Sequence, residues 1–250
     1  MTILPEDHTE AARIATLAGE LLLRVRADCV AKGMERREIK DEGDRQAHDL
    51  IMAELQKVRP NDAILSEEGK DDPVRLDAER VWIVDPLDGT REFSEPPRDD
   101  WAVHVALVIA GKAVAGAVAL PAMNLTLHTG TSLPELGKLP AIPRMLVSRT
   151  RPPEAATKVA EAIGAELVPM GSAGAKAMAV VRGIADIYAH SGGQYEWDSC
   201  APIAVAQAAG LHTSRIDGSE LVYNNADPYL PDLLICRQEL ADAALEALAE

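Results

Sequence analysis

Apolar residues recur at helical spacing near the start of the chain. Ala11, Ile14, Ala15, Ala18, Leu21, Leu22 and Val25 form one stripe, which predicts a helix over residues 8–27. Ala47, Leu50, Ile51, Leu55 and Val58 form a second, which predicts a helix over 44–57. The charged stretch between them, 31–40, reads as a solvated loop. The pattern then changes to short apolar runs of strand length at 63–65, 81–84, 101–109, 113–120 and 125–129, with a hairpin turn at Gly111-Lys112. Residues 71–80 are polar and read as a mobile surface loop. From residue 144 strands and helices alternate: strand 144–147, helix 153–163, strand 166–168, a helix opening after Gly171 and running to 181, strand 184–189, helix 201–209 closed by Gly210, strand 232–236, helix 238–249. Pro134, Gly137, Pro140 and Pro143 punctuate the interval between the halves. The pattern predicts an α/β protein with an N-terminal α+β lobe (1–133), a linker (134–143) and a C-terminal α/β lobe (144–250).

Composition narrows the picture. With 47% hydrophobic residues in 250, the chain can bury a large core, but aromatics are only 3%, so Ala, Val, Leu and Ile must fill it. The formal charge of −15 argues against a nucleic-acid polymer as partner. It leaves room for a small phosphate ester, because bound cations reverse a local field. Cys29, Cys200 and Cys236 are odd in number and far apart, which predicts neither a disulfide framework nor a zinc site. No apolar run is long enough to span a bilayer, and residues 1–10 are acidic, unlike a signal peptide. The expected setting is the cytoplasm, away from membranes.

The chemistry concentrates in Val81-Trp82-Ile83-Val84-Asp85-Pro86-Leu87-Asp88-Gly89-Thr90. Pro86 disfavours helix at Asp85, so the strand is expected to end there. Gly89 permits a sharp turn, and Thr90 is expected to cap a following helix. Asp85, Asp88 and the Leu87 carbonyl are hard oxygens that suit Mg²⁺ or Mn²⁺ better than zinc. Asp-Pro and Asp-Gly are also ordinary turn dipeptides, and alone they specify no more than a turn. The spacing of three between the two Asp residues disfavours a covalent aspartyl phosphatase, and Arg91 to Glu95 lacks the further ligands of a calcium loop. His104, inside an apolar strand, reads as a core histidine. Gly171-Ser172-Ala173-Gly174-Ala175-Lys176 is neither a Walker A loop nor a dinucleotide fingerprint, but its small residues at a helix start let an anion approach backbone N–H groups. Lys176 reads as a phosphate contact or as surface. Asp44 and Asp198 both read as helix caps.

The stretch from Trp82 to Phe93, Asp-Pro-Leu-Asp-Gly-Thr at its centre, resembles the first signature of the inositol monophosphatase superfamily of Mg²⁺-dependent, lithium-sensitive phosphatases. Trp197-Asp198 and the apolar helix ending at Gly210 resemble its second, about 110 residues later. Ser66-Glu67-Glu68 resembles its Gly-Glu-Glu motif, and Gly43-Asp44 its segment at a helix start. Ser66, Glu95 and Leu211 depart mildly from the usual residues. The resemblance covers nearly the whole chain and implies the sugar-phosphatase fold, two lobes in alternating α-β-α-β-α layers. It implies two or three Mg²⁺ per site, with Mn²⁺ as a substitute and Li⁺ as inhibitor. Glu67, Asp85 and the Leu87 carbonyl would hold one metal; Asp85, Asp88 and Asp198 the other. Glu67 and Thr90 would orient the attacking water, with Asp44 beside them. Gly89, Thr90, Gly171, Ser172, Lys176 and Tyr195, with Asp88 and Asp198, would line the substrate pocket, Tyr195 stacking on a base. Asp88-Gly89-Thr90-Arg91-Glu92-Phe93 resembles the bisphosphate nucleotidase (CysQ-type) branch, which acts in sulfur assimilation. That branch implies 3′-phosphoadenosine 5′-phosphate as substrate, converted to AMP and phosphate, while the family resemblance implies in-line displacement and a homodimer. A broad phosphatase of inositol-1-phosphate and fructose-1,6-bisphosphate is the neighbouring possibility. A non-catalytic cation-binding protein is another, but it would not need Thr90 and Glu67.

Overall fold

The computed structural model describes residues 2–150 and 152–249. In chain order these form α1 (Pro5–Ala31), α2 (Arg36–Val58), β1 (Ala63–Ser66), β2 (Arg80–Asp88), a one-turn α3 (Thr90–Phe93), β3 (Ala102–Ile109), β4 (Lys112–Leu120) and β5 (Leu125–His128). The second half continues with β6 (Arg144–Ser148), α4 (Glu154–Ile163), β7 (Glu166–Met170), α5 (Ala173–Val181), β8 (Ile187–Ser191), α6 (Glu196–Ala208), β9 (His212–Ser214), β10 (Asp232–Cys236) and α7 (Ala241–Ala249).

Two five-stranded sheets result. The first has the order β1-β2-β3-β4-β5, antiparallel except for the β1–β2 pair. The second has the order β7-β6-β8-β10-β9, with β7, β6 and β8 parallel and β10 antiparallel to both its neighbours. Helices cover both faces of each sheet, so inner strands are apolar on both sides and their alternation sorts residues between layers. On β2, Trp82 and Val84 face α1 and α2, while Val81 and Ile83 face α5 and α6. On β10, Leu233 and Ile235 join the middle core, while Leu234 and Cys236 pack against α4 and α7. The layers therefore run α1α2, first sheet, α5α6, second sheet, α4α7, as the resemblance implied. The middle core is continuous between the sheets.

Scarce aromatics are replaced by close backbone approach. A Cβ on Gly116 of β4 would lie 2.8 Å from the Ala204 Cβ of α6. The start of α1 is fastened by charge. Buried Asp7 takes Arg80 in a two-pronged contact of 2.9 and 3.1 Å, and Arg59 at 2.9 Å, joining α1 to β2 and to the end of α2.

Several boundaries differ from expectation. The helix expected at 44–57 begins at Arg36, inside the charged stretch read as a loop, because Arg, Glu and Lys are good helix formers whatever their solvation. Asp44 is thus an interior residue of α2, not its cap. Residues 71–80 are not a free loop: Pro73–Asp77 form a 3₁₀ turn around buried Arg75, which bonds Asp71 at 2.6 Å and Asn224 at 2.8 Å. The strand expected to stop at Asp85 runs on to Asp88, with the register against β3 shifted between Asp85 and Asp88. The short strand β9 carries no apolar run and was not anticipated.

Candidate active site

The irregularity at the end of β2 builds the site. The Leu87 N–H donates to Asp85 Oδ1 at 3.0 Å, which fixes the first carboxylate against the turn that follows Pro86. Gly89 then adopts φ +84°, a left-handed conformation suited to glycine, and caps α3. Thr90 is the first residue of that turn rather than its cap. Asp85 and Asp88 are both buried.

Asp198 arrives from the other half of the chain. It lies in the first turn of α6, and Tyr195 is the capping residue in its place. The Tyr195 N–H donates to Asp198 Oδ2 at 2.7 Å. Asp85, Asp88 and Asp198 each offer an oxygen to a cluster whose atoms all lie within 4.8 Å of one another. Together with Glu67, Leu87, Gly89, Thr90, Arg91 and Glu92 they line an open cavity of about 210 Å³.

The three carboxylates hold protons differently. Burial, and then the charges of Glu67, Asp88 and Asp198, push Asp85 well above the usual carboxylate range. Burial and Asp88 push Asp198 up to about 7, against the Tyr195 N–H. Burial acts on Asp88 too, but His104, Ser172 and the Gly174 N–H outweigh it and bring Asp88 down to about 2. Glu67, outermost of the set, is raised by desolvation and by Glu68 and Asp88, with a hydrogen bond to Asp85 opposing. Such a set stays fully ionised only with a cation among it, and an all-oxygen donor set fits a hard divalent ion.

The start of α5 holds Asp88 from behind. Ser172 Oγ donates to Asp88 Oδ2 at 2.5 Å, the Gly174 N–H to the same oxygen at 2.6 Å, and the Ala173 N–H to Oδ1 at 3.1 Å. Gly171 and Ser172 thus meet the site through Asp88 and through Asp100, whose Oδ2 accepts the Gly171 N–H at 2.6 Å. Lys176 is neither surface nor turned to the cavity. It is buried, and Nζ donates to the Ser172 and Gly171 carbonyls at 2.5 and 3.3 Å. Tyr195 is 40% exposed and also stands outside the acidic cavity. One of its faces is already stacked on Trp197, with centroids 4.8 Å apart, and Tyr229 meets it edge-on. Asp44 is half-buried on α2, and desolvation with the charges of Glu68 and Glu67 raises it to about 7.

Sequence reasoning missed three participants. His104 is a buried core residue, as read, but its Nε2 also lies 3.2 Å from Asp88 Oδ2. Arg91 and Glu92 line the cavity, and their place inside the signature was the available signal. Arg91 also borders a second cavity of about 570 Å³, lined by Ser148, Thr150, His190 and Ser191 among others.

The inositol monophosphatase family model matches residues 5–138 and 141–250. The chain is 50% identical over 242 residues to the 3′-phosphoadenosine 5′-phosphate phosphatase of Mycobacterium tuberculosis, covering 93% of this chain and 90% of that one. It is 32% identical over 197 residues to the 3′(2′),5′-bisphosphate nucleotidase CysQ of Escherichia coli, covering 74% and 79%. Its fold superposes on the crystal structure of CysQ from Bacteroides thetaiotaomicron with a TM-score of 0.80 at 27% identity, covering 94% and 98%. With both signature segments meeting in one acidic cavity and the family model spanning nearly its whole length, the chain belongs to the inositol monophosphatase family.

Proposed function

We propose that this protein is a Mg²⁺-dependent phosphomonoesterase that hydrolyses 3′-phosphoadenosine 5′-phosphate to AMP and phosphate. The observation that carries the reading is the carboxylate cluster of Asp85, Asp88 and Asp198, facing a cavity that Thr90 also lines. Members of the family are metal-dependent. Here Glu67, Asp85 and the Leu87 carbonyl would hold one cation, and Asp85, Asp88 and Asp198 the other. When bound, the cations supply Lewis-acid stabilisation of phosphate charge and acidify the attacking water. Glu67 and the Thr90 hydroxyl orient that water, and Asp44 lies beside Glu67.

The nucleotide assignment rests on the activities of the relatives and on the second cavity. Arg91 borders both cavities, so a substrate with its 3′-phosphate among the carboxylates can extend its nucleoside 5′-phosphate toward Arg91, Thr150 and His190. Li⁺ inhibits by competing at the cluster, and the assembly is a homodimer in the cytoplasm. A monomer in sedimentation velocity would remove the last point.

The test is Mg²⁺-dependent phosphate release from 3′-phosphoadenosine 5′-phosphate, inositol-1-phosphate and fructose-1,6-bisphosphate side by side, with and without Li⁺. A kcat/KM preference for the nucleotide of tenfold or more, about 1.4 kcal/mol, is expected, with Li⁺ lowering the rate. Comparable rates on all three would make this a broad sugar-phosphate phosphatase. Indifference to Li⁺ would remove the inhibitor assignment.

A further inference from the structure

His104 stands on the face of β3 that looks into the middle helical layer, flanked there by Ala102 and Ala106, and solvent does not reach it. Its Nδ1 lies 3.0 Å from the Trp197 carbonyl. A carbonyl only accepts, so Nδ1 carries a proton and donates it. On its other side Nε2 lies 3.2 Å from Asp88 Oδ2, a charge contact for a ring protonated on both nitrogens rather than an aligned hydrogen bond, and Nε2 has no hydrogen-bond partner among the described residues. The ring thus joins a carboxylate on β2 to the residue immediately before Asp198 on α6. The donors from Ser172, Ala173 and Gly174 fix Asp88 to α5 and do not connect it to Asp198. Space for the ring is cut into α5, since a Cβ on Gly174 would sit 2.0 Å from Nε2. A mere space-filler would not need this: an apolar side chain of the same size needs no polar neighbours on two sides.

We propose that His104 is a positioning residue that sets Asp88 against Asp198, so that carboxylates from the two halves of the chain meet a cation in one geometry. The inference rests on the metal reading above. It is tested on the metal itself, with Mn²⁺ as the probe, by calorimetry and by the paramagnetic signal of free Mn²⁺. Three variants are compared with wild type: His104→Leu, His104→Gln, and His104→Ala with Gly174→Ala, which fills the space the ring vacates. The Leu and double variants are expected to melt near wild type in EDTA yet bind Mn²⁺ about tenfold or more weaker, the usual cost of losing a group that orients a ligand. His104→Gln, whose uncharged amide can still bridge the Trp197 carbonyl and Asp88, is expected to recover part of that loss. The Mg²⁺ concentration for half-maximal rate should rise in parallel, while the substrate KM at saturating Mg²⁺ holds. If His104→Leu fails to fold, the double variant decides. Wild-type Mn²⁺ affinity in a folded Leu or double variant, or a Gln variant no better than Leu, overturns the inference. Failure of wild type to bind Mn²⁺ would instead bring down the metal reading, and this inference with it.

Discussion

Asp88 and Asp198 carry the same side chain and meet in one cavity, yet Asp88 is held near 2 and Asp198 near 7. The difference is their partners: three α5 donors and His104 hold Asp88, whereas Asp198 has one backbone N–H and faces other carboxylates. In the metal-free protein, Asp198 and Asp44 both sit at about 7, far above an unfolded carboxylate near 3.8. The folded state then binds protons more tightly than the unfolded state. That contribution is fully present below about 4 and is lost as pH rises through about 7. Thermal melts in EDTA should therefore show Tm falling from pH 5.5 to pH 8, with Mg²⁺ restoring stability most at pH 8. Asp198→Asn should flatten the slope. A Tm that climbs over that interval would mean that these carboxylates are not held protonated. Asp85, Asp88 and Thr90 were legible from local spacing, since they lie within six positions, and Glu67 and Asp198 through the motifs that resemble the family's. His104 was read only as core, because its partner Trp197 is 93 residues away and nothing local marks the contact.

At the scale of elements, apolar runs located every strand of both sheets except β9, since strands covered on both faces need apolar residues throughout. Boundaries were harder where propensity and composition disagreed. Charge suggested a loop at 31–40, but helix propensity extended α2 back to Arg36. Pro86 suggested a strand end at Asp85, but the backbone tolerates the proline at a register shift and stays paired to Asp88. Placement of α6 against the first sheet was not legible either, because it depends on Gly116 meeting Ala201 and Ala204. Gly116→Val should push α6 off β4, costing about 1–3 kcal/mol by overpacking. Because α6 carries Asp198, the same variant should need more Mg²⁺ for half-maximal rate. A lowered Tm with unchanged Mg²⁺ dependence would show that α6 does not transmit the strain to the site.

The whole molecule explains why the site needs both halves. The first sheet supplies Asp85 and Asp88, the α6 layer supplies Asp198, and the α5 start holds Asp88 in place. A continuous middle core keeps these layers in register. The layering was legible from the alternation of strands and helices together with the signature motifs, whereas the order β7-β6-β8-β10-β9 was not, because strand adjacency is set by long-range packing. A cavity lined by Glu67, Asp85, Asp88 and Asp198 admits an anionic phosphate when cations sit between the carboxylates and the phosphate. The direct test of that dependence is Mg²⁺-titrated phosphate release from 3′-phosphoadenosine 5′-phosphate by wild type and Asp198→Asn. The account predicts no release in EDTA, a saturable rise with Mg²⁺ in wild type, and a rate about 10²-fold lower or less in the folded variant, the scale expected when an electrostatic stabiliser is lost. Release in EDTA, or an unchanged rate in Asp198→Asn, would contradict it.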